Sequence, residues 1–152
     1  MPRITRTATF VAGALLAVGG LAASGAVAAS SARPLLQAPV QGSQLSDPPL
    51  FGATRGGAPW VITSGSAQVT SDAVQVVVVG LVIPGRGNPL PTLSASIACN
   101  GAIVSTTAAV PFSSAGNAQI RARVALPDRC LAPAVLLNPN GNAAVYIAAS
   151  GG

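Results

Sequence analysis

Short runs of β-forming residues, separated by turn residues about every eight to twelve positions, dominate the chain from Trp60 to its end. Such spacing is typical of antiparallel sheets, because each turn reverses the chain and lets neighbouring runs pair. The pattern predicts strands at 60–64, 67–71, 73–82, 92–99, 102–109, 117–126, 133–137 and 143–149. We therefore expect an all-β fold of seven or eight antiparallel strands.

Two of these runs alternate between apolar and polar residues, which is the pattern of a strand with one buried face. In the run 92–99 the apolar positions end at Cys99, so this cysteine is expected to point inward. In the run 117–126 the polar positions hold Arg121 and Arg123, which are expected to face solvent. The strand 117–126 is predicted to be half buried.

Asn-Gly pairs mark two tight turns. Asn100 and Gly101 stand between two predicted strands, and a two-residue hairpin turn needs a positive φ at both positions, which Asn and Gly tolerate best. This turn places Cys99 opposite Ala102. A second turn at 138–141, which also contains Asn-Gly, is expected to join the last two strands.

The chain has two cysteines, which allow one intramolecular disulfide, Cys99–Cys130. In the chain-entropy model, closing a loop of about 32 residues stabilises the fold by about 3 to 4 kcal/mol. Trp60 is expected to pack in the core against this bridge. Together these features predict a small immunoglobulin-like β-sandwich, with a closed β-barrel as the alternative. The cysteine spacing is shorter than in true immunoglobulin domains, so the expectation concerns architecture and not ancestry.

The segment 74–83 is apolar except at Gln75 and Gly80. A strand of this kind is expected to lie centrally in a sheet, because exposing either of its faces to water is unfavourable. The alternative is a self-association edge or a surface that faces lipid or a partner, since a long uncharged valine run can also pair with another chain.

Residues 1–28 have the order of a secretory signal peptide. Arg3 and Arg6 precede an apolar run that ends in small residues, and cleavage after Ala28 would leave 124 of the 152 residues. Residues 29–59 are rich in Pro and Gly and are predicted to be a linker. The β-sandwich domain is therefore placed at 60–152. No lipid-attachment cysteine or second long apolar segment follows, so we expect a secreted protein, extracellular or cell-wall associated, without a membrane anchor.

The composition disfavours most enzyme classes. The chain lacks His, Glu and Lys, so Ser-His-Asp, Cys-His and Ser-Lys arrangements cannot be assembled. Two cysteines and three scattered aspartates disfavour a metal site. We expect a non-enzymatic protein with no catalytic residue, no metal and no cofactor. Without the signal, six Arg oppose three Asp and the net charge falls from +5 to about +3. That charge and the few aromatics argue against nucleic-acid binding.

Four residues are candidates for a binding surface. Arg121 and Arg123 are expected to point the same way on one strand, and Arg86 stands between glycines in the Pro-rich loop 84–91. Trp60 is the fourth, as a stacking platform if it is exposed. The alternative for the arginines is a solvated sheet face that blunts strand pairing. An acidic cell-wall polymer is the partner expected of such a basic surface, and another extracellular protein is the alternative.

Several segments resemble short exported proteins of actinobacteria. These segments are 60–62, 79–84, 90–96, 126–133 and 138–141. The resemblance covers roughly residues 60–149, and the family has no assigned activity, so it implies no functional residue. The bias toward Ala, Gly, Val, Pro and Arg is consistent with such a GC-rich source.

Three functions follow from these observations. The first is a secreted non-enzymatic binding or structural module of the cell surface or extracellular space. The second is a carrier of an apolar small molecule held in a cleft between the sheets. The third is a protease inhibitor that presents the loop 84–91 on a rigid scaffold.

Overall fold

The computed structural model describes residues 33–150, and these form an all-β structure without a helix. The predicted signal peptide, residues 1–28, lies outside the described residues. The strands are β1 (Leu36–Pro39), β2 (Gln41–Gly42), β3 (Thr54–Arg55), β4 (Ser64–Val69), β5 (Ala73–Val79), β6 (Thr92–Cys99), β7 (Ala102–Thr106), β8 (Val110–Pro111), β9 (Ala118–Arg123), β10 (Ala134–Pro139), β11 (Val145–Tyr146) and β12 (Ala148–Ser150). Within residues 33–150, no helix has the length and hydropathy of a membrane span.

Two antiparallel sheets pack face to face. Sheet A has the strand order β1-β4-β5-β9, and sheet B has the order β2-β12-β10-β6-β7, with β8 also paired to β6. A short parallel pair, β3 and β11, lies beside them. The orders β4-β5-β9 and β12-β10-β6-β7 correspond to the A-B-E and G-F-C-C′ orders of immunoglobulin-like sandwiches. The immunoglobulin-like sandwich is therefore confirmed, and the closed barrel is wrong because both sheets have open ends.

Buried and exposed side chains alternate along the strands of sheet A, and the buried ones form its side of the core. In β9, Ile120 is buried and its neighbours Gln119 and Arg121 are exposed, as the sequence pattern predicts. In β5 the buried positions are every second residue, and Val79 on the other face is 43% exposed. Strand β5 is paired on both sides, by β4 and by β9. The apolar run is therefore a central strand, and the self-association edge is wrong.

The facing side of sheet B is more completely buried. Its inward residues Leu93, Ala95, Ile97 and Cys99 join the main core, as predicted. The other face of β6 is also buried, since Ser94 and Ser96 are 0% exposed. On the same outer face of sheet B, a second cluster of buried residues joins neighbouring strands to the chain after β2: Ala53, Leu136 and Tyr146, with partly buried Leu50, Phe51, Ile103 and Ala149.

The prediction of a linker over residues 29–59 is wrong for the described part of that range. Strand β1 pairs with β4 along four positions, and β2 pairs with β12. Between them Val40 is 3% exposed, so one stretch of chain passes from sheet A to sheet B and buries its crossing point. Pro39 is tolerated because it ends an edge strand, where a missing N–H breaks no ladder. The folded unit therefore begins well before Trp60.

The strand predicted at 60–64 is also displaced. Val61 forms an isolated bridge with Val82, and the continuous strand starts at Ser64. Trp60 is held by its backbone N–H, which donates to the carbonyl of Ser43 at 2.8 Å. Irregular chain with a single bridge therefore occupies the place where the pattern predicts a first strand.

The predicted turns and disulfide are present. Asn100 and Gly101 have φ values of 55° and 82°, and Cys99 faces Ala102 in the hairpin. Cys99 is bonded to Cys130, with a Cα–Cα distance of 4.9 Å. The bridge therefore ties the end of β6 to the connection between β9 and β10.

Tyr146 joins the outer face of sheet B to the segment that covers it. Its side chain is buried, and its hydroxyl donates to the carbonyl of Pro48 at 2.6 Å. Burial raises the pKa of the Tyr146 phenol above its ordinary value, and the Asp47 carboxylate raises it further, while Arg55 opposes them. The phenol therefore resists ionisation in the folded chain.

This burial predicts a loss of stability at alkaline pH. The stabilisation is fully present below the ordinary tyrosine pKa of about 10 and is lost as the pH rises from there through the higher pKa of the folded state. Tyr146 is the one tyrosine in the sequence, so tyrosinate absorbance reports it alone. We expect a higher titration midpoint in the folded chain than in the denatured chain. Tyr146→Phe should remove this part of the alkaline loss, and equal midpoints would contradict the assignment.

Candidate binding face

The outer face of sheet A is an open surface that is mostly polar, apart from Val77 and Val79 toward the end of β5. In the observed register, Gln37 of β1 lies beside Gln68 of β4, which lies beside Gln75 of β5, which lies beside Arg121 of β9. All four residues are exposed. Directly opposed side chains in antiparallel sheets have Cβ atoms about 4.5 to 5.5 Å apart. The four form one continuous polar row across the whole sheet, here called the glutamine row.

Arg121 is oriented by its neighbour two residues earlier. When the Gln119 amide presents its oxygen to the guanidinium, it accepts hydrogen bonds from Arg121 Nη2 at 2.9 Å and from Nε at 3.2 Å. This amide orientation satisfies both groups. One edge of the guanidinium is thereby held, and its other N–H donors remain available to a ligand.

Arg123 lies one row further along the same face and is paired. Its guanidinium contacts the Asp72 carboxylate, and the two side chains are 86% and 55% exposed. Exposed pairs of this kind contribute about 0 to 1 kcal/mol, so an anionic ligand can compete for the arginine. Among residues 33–150 this is the one ion pair. Arg121 therefore carries an uncompensated charge on this face.

A shallow depression separates the two arginines from the adjacent strands. Its volume is about 400 Å³, and Thr70, Ala73 and Arg123 line it beside the row that holds Gln68, Gln75 and Arg121. Small side chains leave the space, and longer polar ones surround it. Guanidinium groups bind carboxylate and phosphate through paired N–H donors. The depression therefore suits an anionic group of a larger ligand.

The structure brings together two of the four candidate residues. Arg121 and Arg123 share this face, as predicted. Arg86 is exposed in the turn that follows β5, whereas Arg123 pairs with Ala73 at the start of β5, so about 20 Å of strand separates them. Trp60 is 3% exposed and cannot serve as a stacking platform. Its neighbours include Gly42 and Gly56, at the side of the molecule where β2 pairs with β12.

The loop 84–91 is folded tightly. Gly87 and Arg86 both donate backbone N–H groups to the carbonyl of Ile83 at 3.0 Å, and the Asn88 side chain donates to the carbonyl of Ser113 at 2.8 Å. Protein segments that bind in an extended, strand-like form need free backbone groups. This geometry gives the protease-inhibitor alternative no support.

An open depression of about 610 Å³ lies where β8 and β9, the edges of the two sheets, approach each other. Pro91, Pro111 and Phe112 contribute apolar surface, and Asn117 and Gln119 contribute polar surface. Its position resembles the cleft expected of an apolar carrier. Its open shape would leave much of an apolar ligand in water, which weakens that alternative.

A further cleft, of about 470 Å³, lies between β2, β12 and the chain after β2. Ser43 and Ser150 line it, and their hydroxyl oxygens are buried without a hydrogen-bond partner in the described part of the chain. Because those oxygens are closed to solvent, the cleft presents chiefly Gln44 and Asp47 to an incoming molecule. This arrangement is less accessible than the outer face of sheet A.

The glutamine row was not among the residues predicted from sequence. Gln37 lies in the segment predicted to be a linker. Gln68 and Gln75 lie on the polar face of a hairpin that the sequence did not single out as a binding surface. Polar residues at alternate positions of neighbouring strands were the available signal. Their alignment depends on the register, which the sequence pattern does not specify.

The aspartates are dispersed. Asp47 accepts from the backbone N–H of Gln44 at 2.7 Å, Asp72 is paired with Arg123, and Asp128 is exposed in the connection after β9. Within residues 33–150, no three His, Cys, Asp or Glu side chains lie close enough to hold a metal ion. Comparisons of the chain with protein-family models, curated proteins and solved structures gave no match. The functional argument therefore depends on the geometry of the chain itself.

Proposed function

We propose that this protein is an exported, non-enzymatic binding module, and that the outer face of sheet A binds an acidic polymer of the cell envelope. The observation that carries the proposal is the placement of Arg121, without an acidic partner, beside Arg123 on an open and otherwise uncharged face. Asp72 is the one acidic side chain beside them and is already paired. Charge complementarity therefore favours an anionic partner.

The disulfide supports export. Structural disulfides persist in oxidising compartments, and the Cys99–Cys130 bridge is compatible with an extracellular location. The predicted signal peptide at 1–28 agrees with it. The resemblance to short exported actinobacterial proteins points to the same compartment.

The shape of the face favours a polymer over a single small ion. The glutamine row crosses four strands, which at about 4.8 Å per strand spacing is about 14 Å long. The face is open, so one bound anion would stay largely hydrated and bind weakly. A polymer that places its anions on Arg121 and Arg123 and its adjoining units along the row makes several contacts at once, and it gains affinity through the high effective concentration of its units.

Replacing Arg121 tests the proposal. We expect Arg121→Ala to weaken binding of the chain to immobilised teichoic acid or polygalacturonate about fivefold at low salt, because one exposed charge contact contributes about 1 kcal/mol. Binding by the unmodified chain should fall as salt is added, since exposed charges are screened. Equilibrium binding at several salt concentrations measures both effects.

Arg86→Ala is the matched control, since Arg86 is exposed but lies beyond the other end of β5. It removes the same charge and should leave affinity nearly unchanged. A neutral dextran should not bind. Equal losses for the two arginine variants would show that net charge alone attracts the polymer and would refute this face as the site.

A further inference from the structure

The side-chain amides of Gln37, Gln68 and Gln75 are unusually free for an aligned set. All three are exposed, and none makes a hydrogen bond to another residue within 33–150. By contrast, the Gln44 amide is bound to the carbonyl of Trp60 at 3.0 Å, and Gln119 holds Arg121. The glutamine row therefore presents, beside one guanidinium, three exposed amides that have no hydrogen-bond partner within residues 33–150.

An amide can use only its N–H donors with an anion, whereas it can use both its donors and its acceptor with hydroxyl groups. Each glutamine side chain offers two N–H donors and one carbonyl acceptor, whereas a carboxylate or phosphate only accepts. A hydroxyl both donates and accepts, so it can use both ends of the amide. The three glutamines are therefore suited to bind hydroxyl groups, and Arg121 and Arg123 are suited to bind anionic groups.

We propose that the acidic polymer is also rich in hydroxyl groups, as an acidic polysaccharide is, and that the glutamine row binds its hydroxyls while the arginines bind its anions. This inference rests on the proposed function and specifies its ligand class. The adjacent row agrees with it, because Ser66 is exposed there and adds a hydroxyl of its own. None of the four aromatic residues outside the signal is exposed, so polar contacts must supply the recognition.

The position of the arginines determines where along the row an anionic group of the polymer would bind. Both lie on β9, at one end of the row, and Gln37 lies on β1, at the other end. An anionic group is held at the β9 side over the depression beside Ala73. The adjoining units of the polymer extend across β5 and β4 toward β1.

Two carboxylate polymers separate this inference from simple charge attraction. Polygalacturonate carries hydroxyls, and polyacrylate carries carboxylates without them. We expect the chain to bind polygalacturonate about tenfold more tightly than polyacrylate, since more than one hydrogen bond to a hydroxyl is gained. The double substitution Gln68→Ala and Gln75→Ala should abolish this preference and leave binding of polyacrylate unchanged.

Gln41→Ala is the control, because Gln41 is an exposed glutamine on β2 in the other sheet. It should retain the full preference. Equal affinity of the unmodified chain for the two polymers would overturn the inference and leave the proposed function standing. A double variant that loses affinity equally for both polymers would also overturn it. If neither polymer binds, the proposed function fails and the inference fails with it.

Discussion

A chain that begins at residue 60 is expected not to fold, whereas a chain that begins at residue 33 folds fully. Residues 36–55 supply β1, β2 and β3 and cover the outer face of sheet B. Removing them exposes Leu136 and Tyr146, which are 0% and 1% exposed in the intact fold. Exposing two large side chains costs about 3 to 6 kcal/mol.

That loss is close to the whole net stability of a small domain, about 5 to 15 kcal/mol. It also leaves β4 and β12 with unpaired edges, which favours aggregation. Circular dichroism, amide dispersion in NMR spectra and thermal unfolding of the two chains provide the measurement. We expect a cooperative transition for 33–152 and none for 60–152.

A third chain that begins at residue 43 separates the two roles of the N-terminal stretch. It keeps the cover over sheet B and removes β1, β2 and Val40. We expect it to fold with intermediate stability, because two edge pairings are lost and the second apolar cluster remains. If 60–152 unfolds cooperatively at the same temperature as 33–152, the stretch is the linker that its composition indicated.

The elements that could be predicted from sequence are those specified by neighbouring residues. The alternation in β9 assigns its two faces without reference to other strands, since side chains alternate along any strand. The Asn100-Gly101 turn is equally local, because both residues tolerate a positive φ. The disulfide followed because the chain has only two cysteines.

The elements that escaped prediction are specified by distant pairing. Strands β2 and β3 are two residues long, and β1 ends in a proline. None of the three therefore has the run of alternating residues by which a strand is predicted from sequence. Ser94 and Ser96 face away from the main core, yet both are 0% exposed, and Ser96 is hydrogen-bonded to Thr106 and Asn138 on the two neighbouring strands. Burial of polar positions on β6 therefore reflects tertiary structure and not the period of the strand.

The candidate site shows the same division. The shared face of Arg121 and Arg123 follows from their spacing on one strand. The glutamine row needs the register of three strand pairs, and one of its members comes from the supposed linker. Trp60 was a candidate for the binding surface but is buried. Its burial depends on residues of the segment that the sequence pattern predicted to be a linker.

Replacing both cysteines by alanine is expected to lower the free energy of unfolding by about 3 to 4 kcal/mol, because the bridge closes a loop with a sequence separation of 31. For a domain of this size that corresponds to a fall in Tm of about 10 to 20 °C. Alanine avoids placing a new polar group at Cys99, which is 1% exposed. Thermal and denaturant unfolding of the two chains measures the difference.

The folded structure should survive this change, because the loop is also held without the bridge. The Asn100 backbone N–H donates to the carbonyl of Leu131 at 2.9 Å, its side-chain oxygen accepts from the Leu131 N–H at 2.9 Å, and its amide donates to the carbonyl of Arg129 at 2.8 Å. These bonds flank Cys130 on both sides. The bridge therefore acts mainly by restricting the unfolded chain, and its loss should leave the native spectrum intact.

Asn100→Ala distinguishes this explanation from a purely local one. With the disulfide present, it removes the two side-chain bonds to the loop and places alanine at a positive φ, so it should cost about 1 to 3 kcal/mol through the folded state. In the cysteine-free chain the same substitution should also loosen the loop 124–133, which amide hydrogen exchange would detect. If the cysteine-free chain melts at the same temperature as the intact protein, the bridge contributes no net stability. The hydrogen bonds of Asn100 would then account for the ordering of this loop.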